Sequence, residues 1–253
     1  MKSIFTSFLV TLLLISCATK EDFYVVRQPA EFETQEAFWL IWPSTDYKVG
    51  ESTEKVTLSI IEAIAGTEKI VITCKNASLL KHADEVIKKR FGTIKNITLL
   101  VIPSYDIWAR DMGPIFVETS DSRMAIADFN FNSWGYTDTL NVDAKTEENY
   151  DFNVAKKLNL PVISSSLISE GGNREVNGKG TLMTTESVEF GRNPKMTKQE
   201  IEAEFKRLLG VKKIIWLKKG VVEDDHTFLG PITSSDGSKA YTVITTNGHI
   251  DEF

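Results

Sequence analysis

Short apolar runs of strand character, alternating with segments of helical period, constrain the fold of this chain more than any other feature of its sequence. The runs are Phe38–Trp42, Ile70–Cys74, Ile97–Ile102, Met124–Phe131, Leu182–Thr185, Ile214–Leu217 and Ala240–Ile244, rich in β-branched and aromatic residues and no longer than ordinary strands. Between several of them lie amphipathic stretches. Ser52–Ala65 places Val56, Ile60, Ile61 and Ile64 on one face, and Ala77–Arg90 does the same with Leu79, Leu80, Ala83, Val86 and Ile87. Thr197-Lys198-Gln199-Glu200 reads as a capping box that opens a helix over Lys198–Leu209, and Gly210 closes it. The alternation predicts an α/β fold of repeated strand–helix units whose connecting loops are free to carry chemistry. No low-complexity linker interrupts it, so residues 21–253 read as one domain.

The loop Trp108-Ala109-Arg110-Asp111-Met112-Gly113-Pro114 lies between the run Ile97–Ile102 and the run Ile115, Phe116, Val117. A carboxylate beside an indole suits a flat cation, because the acid accepts paired N–H bonds while the ring offers its π face. A surface Arg–Asp pair beside a half-buried Trp fits the loop equally well. Glu170-Gly171-Gly172-Asn173 sets a carboxylate before two glycines that let backbone approach a ligand closely, although a plain turn would also use them. Pro29 to Pro43 runs from acidic to aromatic and resembles a first core strand. In Thr246 to Phe253, His249 and Asp251 are two apart and would share a face on a strand, a common arrangement for acid/base work. A metal pair with Asp224, Asp225 and His226 as further ligands is the weaker reading, since helical His spacing and a Cys/His cluster are both missing.

Residues 1–20 form a targeting segment. Lys2 precedes the apolar stretch Ile4–Ile15, too short to span a bilayer as a helix, and Leu14-Ile15-Ser16-Cys17 resembles a lipobox. Cys17 is therefore expected to become the lipidated N-terminus of an exported, membrane-anchored protein of the bacterial cell envelope. That leaves Cys74 without an intramolecular partner. A net charge of −6, with no cluster of basic and aromatic residues, argues against nucleic acid and favours a cationic small molecule.

In order along the chain, Pro29 through Trp42-Pro43, Trp108 to Pro114, Glu170 to Asn173, Gly191-Arg192-Asn193-Pro194 and Gly248-His249-Ile250-Asp251 resemble the agmatine deiminase and bacterial peptidylarginine deiminase family of guanidino-group-modifying enzymes. The resemblance implies a pseudo-fivefold α/β propeller of pentein type. It implies hydrolysis of a guanidinium to a ureido group with release of ammonia, without a cofactor or metal. The substrate would be a small cationic guanidino compound such as agmatine, giving N-carbamoylputrescine, or an arginine-bearing peptide, giving citrulline. By the same resemblance Asp111 and Asp251 hold the guanidinium, His249 is the general acid/base, Glu170 accompanies it, and Trp108 lines the substrate channel.

Two departures stand out. The family's nucleophile is a Cys from a Gly-rich loop well beyond the Gly-His-Ile-Asp segment, and no Cys follows Cys74 in this sequence. Cys74 reads as a buried structural thiol. The expectation is of a propeller incomplete at its C-terminal module, in a sequence that is part of a longer one, with a surface lipoprotein that binds guanidinium ligands without turnover as the alternative. The second departure is the extended stretch His226–Asn247, which is expected to reshape the mouth of the channel.

Overall fold

The structure is a computed structural model that describes residues 23–45, 51–137, 140–243 and 246–252. The targeting segment and Cys17 lie outside the described residues, as does Ile244 of the last expected run. Along the chain the elements are β1 (Val25–Arg27), β2 (Phe38–Ile41), α1 (Thr53–Ile64), β3 (Ile70–Cys74), α2 (Ala77–Phe91), β4 (Ile97–Val101), α3 (Ala109–Met112), β5 (Ile115–Thr119), β6 (Met124–Asn130), α4 (Val142–Glu148), α5 (Tyr150–Leu158), β7 (Val162–Ile168), β8 (Glu175–Val176), β9 (Thr181–Thr185), α6 (Glu186–Arg192), α7 (Lys198–Leu209), β10 (Lys213–Leu217), β11 (Pro231–Thr233) and β12 (Lys239–Thr242). No helix among the described residues is long and apolar enough to cross a membrane.

The first unit is β2-α1-β3-α2-β4, a three-stranded parallel sheet in the order β2-β3-β4. Its near-continuous apolar strands bury Ile70, Ile72 and Cys74 against Leu58, Ile61, Ala83 and Ile87 of the two helices, as parallel strands covered by crossover helices must. The predicted face of α1 is corrected by one residue's rotation. Val56 and Ile60 are exposed, while Thr53, Thr57, Leu58 and Ile61 face the sheet. Thr57 tolerates this burial because its hydroxyl donates to the Thr53 carbonyl at 2.9 Å, leaving a small β-branched surface for packing.

The second sheet has the order β1-β5-β6-β7, antiparallel except for the β6–β7 pair. Tyr150, fully buried at the start of α5, accepts from Trp39 Nε1 at 2.8 Å and lies 2.7 Å from Thr73 Oγ1, joining this unit to the first. The third sheet, β10-β9-β8, is capped by α6 and α7, and Ile201, Phe205, Leu208 and Leu209 of α7 pack into its core. The helix over Lys198–Leu209 carries the predicted capping box at Thr197 and ends on Gly210 in the left-handed conformation. Within the stretch 226–247, β11 and β12 form a small antiparallel hairpin. Among the described residues the four sheets remain separate and open.

Candidate active site

Each side chain of the site is delivered by the end of a strand or by a short turn beside it. The 97–102 run leads through Trp108 into α3, a single helical turn rather than the open loop the sequence predicts. That turn presents Asp111 inward. Asp111 Oδ1 accepts the Gly172 N–H at 3.0 Å and Oδ2 accepts Trp134 Nε1–H at 2.9 Å, which fixes the plane of the carboxylate. Burial raises its pKa, opposed by His249 and by these two hydrogen bonds. Trp134 and its neighbour Ser133 both adopt left-handed backbone, φ 56° and 52°, a conformation held by surrounding packing that includes an edge-on contact with Phe131.

β7 ends in Ser169-Glu170 and then a 3₁₀ turn, Gly171–Asn173. Glu170 is fully buried and its Oε1 accepts Arg192 Nε–H at 2.7 Å. Its Oε2 faces His249 Nε2 at 3.4 Å, and neither atom has another hydrogen-bond partner among the described residues. Burial alone would raise the Glu170 pKa, but His249 and Arg192 outweigh it and hold the carboxyl below its ordinary range. His249 shows the converse. Burial opposes its charge, yet Glu170, Asp111 and Asp251 together raise its pKa and favour the protonated ring.

Asp251 and His249 do not lie on a strand. They flank Ile250 at the start of a 3₁₀ turn, Ile250–Glu252, and the turn rather than a two-residue alternation brings them together. Asp251 Oδ1 is 3.8 Å from His249 Nδ1, and Asp111 Oδ1 is 3.6 Å from the same atom. Burial raises the Asp251 pKa, with His249 and Arg110 opposing it. The floor beneath these groups is Gly172. A Cβ there would sit 2.6 Å from Asp111 Oδ1, 2.7 Å from Asp251 Oδ2 and against His249 Nδ1, so the cradle exists only because this residue has no side chain.

A small cavity of about 470 Å³ adjoins Asp251, lined by Glu31, Arg110, Glu175 and Ile250. Arg110 bonds to Glu175 and to Glu31 and approaches Asp251 Oδ2 at 3.7 Å. Through Glu31 the Pro29–Pro43 stretch reaches the site, and Arg27 anchors that stretch by pairing with Glu33 and Glu118. Trp108 is half exposed at the N-terminal end of α3.

Of the residues singled out in the sequence, the fold brings Asp111, Glu170, His249 and Asp251 together. Trp134 and Arg192 were not assigned a role, the first for want of any local signal, the second although its Gly-Arg-Asn-Pro motif stood out. His226 and Asp225 are exposed, and Asp225 pairs with Lys219 at 2.7 Å. Among the described residues, Asp111, His249 and Asp251 are close enough to share a cation. The three carboxylates raise the His249 pKa, which weighs against a metal, since a metal takes the neutral imidazole. Cys74 sits at the end of β3, fully buried among apolar side chains, and that burial pushes its thiol up to about 12.

Asp111 and Asp251 thus stand on the Nδ1 side of His249 and Glu170 on its Nε2 side, over the bare floor of Gly172. The sequence profile of the Porphyromonas-type peptidyl-arginine deiminases matches residues 27–229. The chain belongs to this family. It is 34% identical over 222 residues to the agmatine deiminase of Medicago truncatula, covering 81% of this chain and 57% of that relative. It shares the fold of the agmatine deiminase of Enterococcus faecalis, with a TM-score of 0.70 at 26% identity over 89% of this chain and 56% of that structure. The chain spans a little over half the length of these family members.

Proposed function

We propose that this site grips a guanidinium group and forms the substrate-holding and proton-handling part of a deiminase centre. The observation that carries the reading is the convergence of Asp111 and Asp251 on one side of His249, over the bare floor of Gly172. A planar guanidinium presents paired N–H donors, and two ionised carboxylates accept them in its own plane. His249, whose protonated form Glu170 favours, donates a proton to the departing nitrogen, which leaves as ammonia, and then takes one from the incoming water. The names of the relatives support agmatine as substrate, and the family's name supports arginine in a peptide.

Covalent attack on the guanidinium carbon requires a thiolate. Cys17 lies outside the described residues and Cys74 belongs to another core, so we assign the nucleophile to sequence beyond these 253 residues, in the last module of a pseudo-fivefold propeller. The half-length match to the family members supports this assignment. The location of Cys74 also favours a second reading, binding without turnover.

Titration calorimetry of the chain with agmatine, an arginine-containing peptide and putrescine tests the clamp. Agmatine and the peptide should bind, and putrescine, which lacks the guanidinium, should not. Asp111→Asn should weaken binding by about 1.5–3 kcal/mol, the value of a charge-assisted hydrogen bond. Equal binding of agmatine and putrescine would overturn the reading, and ammonia release from agmatine by the chain itself would exclude binding without turnover.

We further propose export and lipid anchoring at Cys17, supported by the lipobox-like Leu14-Ile15-Ser16-Cys17. Cys17→Ala should move the protein from the membrane to the soluble fraction, and persistence at the membrane would exclude the anchor.

A further inference from the structure

Arg192 closes α6, and its guanidinium is buried beside Glu170 in the cage of ionisable groups that Asp111, Glu170 and Asp251 form around His249. Nε donates to Glu170 Oε1 at 2.7 Å, which turns the other oxygen, Oε2, toward His249 Nε2. Nη2 donates to the Thr246 carbonyl at 2.8 Å. Thr246 is itself tied to the histidine, because its Oγ1 accepts the His249 backbone N–H at 3.3 Å. One planar group therefore spans the two segments that supply Glu170 and His249.

The residue that follows completes the arrangement. Asn193 Oδ1 accepts the Ile168 N–H at 3.0 Å and its Nδ2 donates to the Ile168 carbonyl at 2.8 Å, so the backbone leading into Glu170 is clasped on both sides. On the remaining side Arg192 abuts Gly135, where a Cβ would lie 3.6 Å from Nη1, next to the Trp134 that orients Asp111.

We propose that Arg192 is a positioning residue for the Glu170–His249 pair, fixing the carboxylate against the ring and locking it to the segment that carries the ring. The inference rests on the reading of that pair as the proton-handling element of the site. A lysine would keep the charge, but its single ammonium lacks the rigid fork that reaches Glu170 and the Thr246 carbonyl from one plane. The groups that face His249 are Glu170 at Nε2 and Asp111 and Asp251 at Nδ1, with Arg192 against Glu170 and Arg110 against Asp251. Loosening Arg192 alters one of the three acidic neighbours and leaves the other two in place.

The experiment is a titration of His249 by NMR on the folded chain labelled at its three histidines, with the His249 signals assigned by His249→Gln. Four proteins are compared: the unaltered chain, Arg192→Lys, Glu170→Gln, and the two substitutions together. Glu170→Gln should lower the proton affinity of His249. Arg192→Lys should lower it by about threefold or more, half a pH unit, in the unaltered background, and should add nothing once Glu170 is Gln. An Arg192→Lys shift of the same size in both backgrounds, or no shift in either, would overturn the positioning role. So would loss of cooperative folding in Arg192→Lys, which would make the arginine a prop of the fold. If Glu170→Gln leaves His249 unmoved, the pair itself fails and the functional reading falls with it, an outcome distinct from failure of Arg192 alone.

Discussion

His249 and Cys74 are buried almost equally, 1% and 0% exposed, and their surroundings favour opposite charge states. Around Cys74 stand Ile70, Ile72 and Ile61, and with nothing to answer a charge the thiol stays neutral. Around His249 stand three carboxylates, and they favour the protonated imidazole. Removal from water is common to both, so neighbours rather than burial decide the chemistry. The two regions also differ in how they are stabilised. The β3 core gains from apolar area and close packing, whereas the cage only offsets the desolvation of its ions if every partner is present.

That contrast is open to test, and the largest effect belongs to the cage. Glu170→Ala leaves the buried Arg192 guanidinium without its carboxylate and should destabilise the chain by about 3–5 kcal/mol in denaturant unfolding. A loss below about 1 kcal/mol would mean the cage is no more demanding than ordinary packing.

Next in size is the response to pH. His249 is raised above 6.5, burial pushes Glu147 and Glu189 up to about 7, and Asp151, buried beside Asp128, rises to about 8. The folded chain therefore binds more protons than the unfolded one between about pH 5 and 8, and stability must fall as pH rises through that window. Denaturation midpoints that climb from pH 6 to pH 8.5 would contradict this protonation pattern.

A smaller change sharpens the other side of the comparison. Ile72→Val should cost about 0.5–1.5 kcal/mol, and the same amount at pH 6 and pH 8.5, since no titratable neighbour senses it. A pH-dependent cost would show the two regions to be electrostatically coupled. The smallest effect is expected at Cys74, where Cys74→Ala should cost about 1 kcal/mol and leave agmatine binding unchanged. Weakened binding in that variant would tie the thiol to the site after all.

Much of this was legible from the sequence because local rules and the tertiary fold agree. β3 is an unbroken apolar run, and α7 carries its start and stop signals in Thr197, Glu200 and Gly210. β7 was missed because Ser164, Ser165 and Ser166 interrupt its apolar run, yet Ser165 is buried with its hydroxyl on Glu204 and its neighbour Leu167 is fully buried. α4 and α5 escaped notice because their polar residues hide the short buried stripe of Ala144, Tyr150, Val154 and Ala155. At the site, Asp111, Glu170, His249 and Asp251 are all reactive types set among glycines and aromatics. Trp134 is different in kind, since its role rests on a left-handed backbone and a partner 23 residues earlier, and neither leaves a periodic trace.

The joining of Glu170 and the Thr246–Asp251 segment through Arg192 also has a kinetic side. The β2-β3-β4 unit closes over short stretches of chain, while the cage brings residue 111 to residue 251, and the entropic cost of closure grows with the length enclosed. The cage is therefore expected to assemble after that unit. A guanidinium ligand added during refolding should alter only the slowest phase, and acceleration of the earliest phase would refute that order.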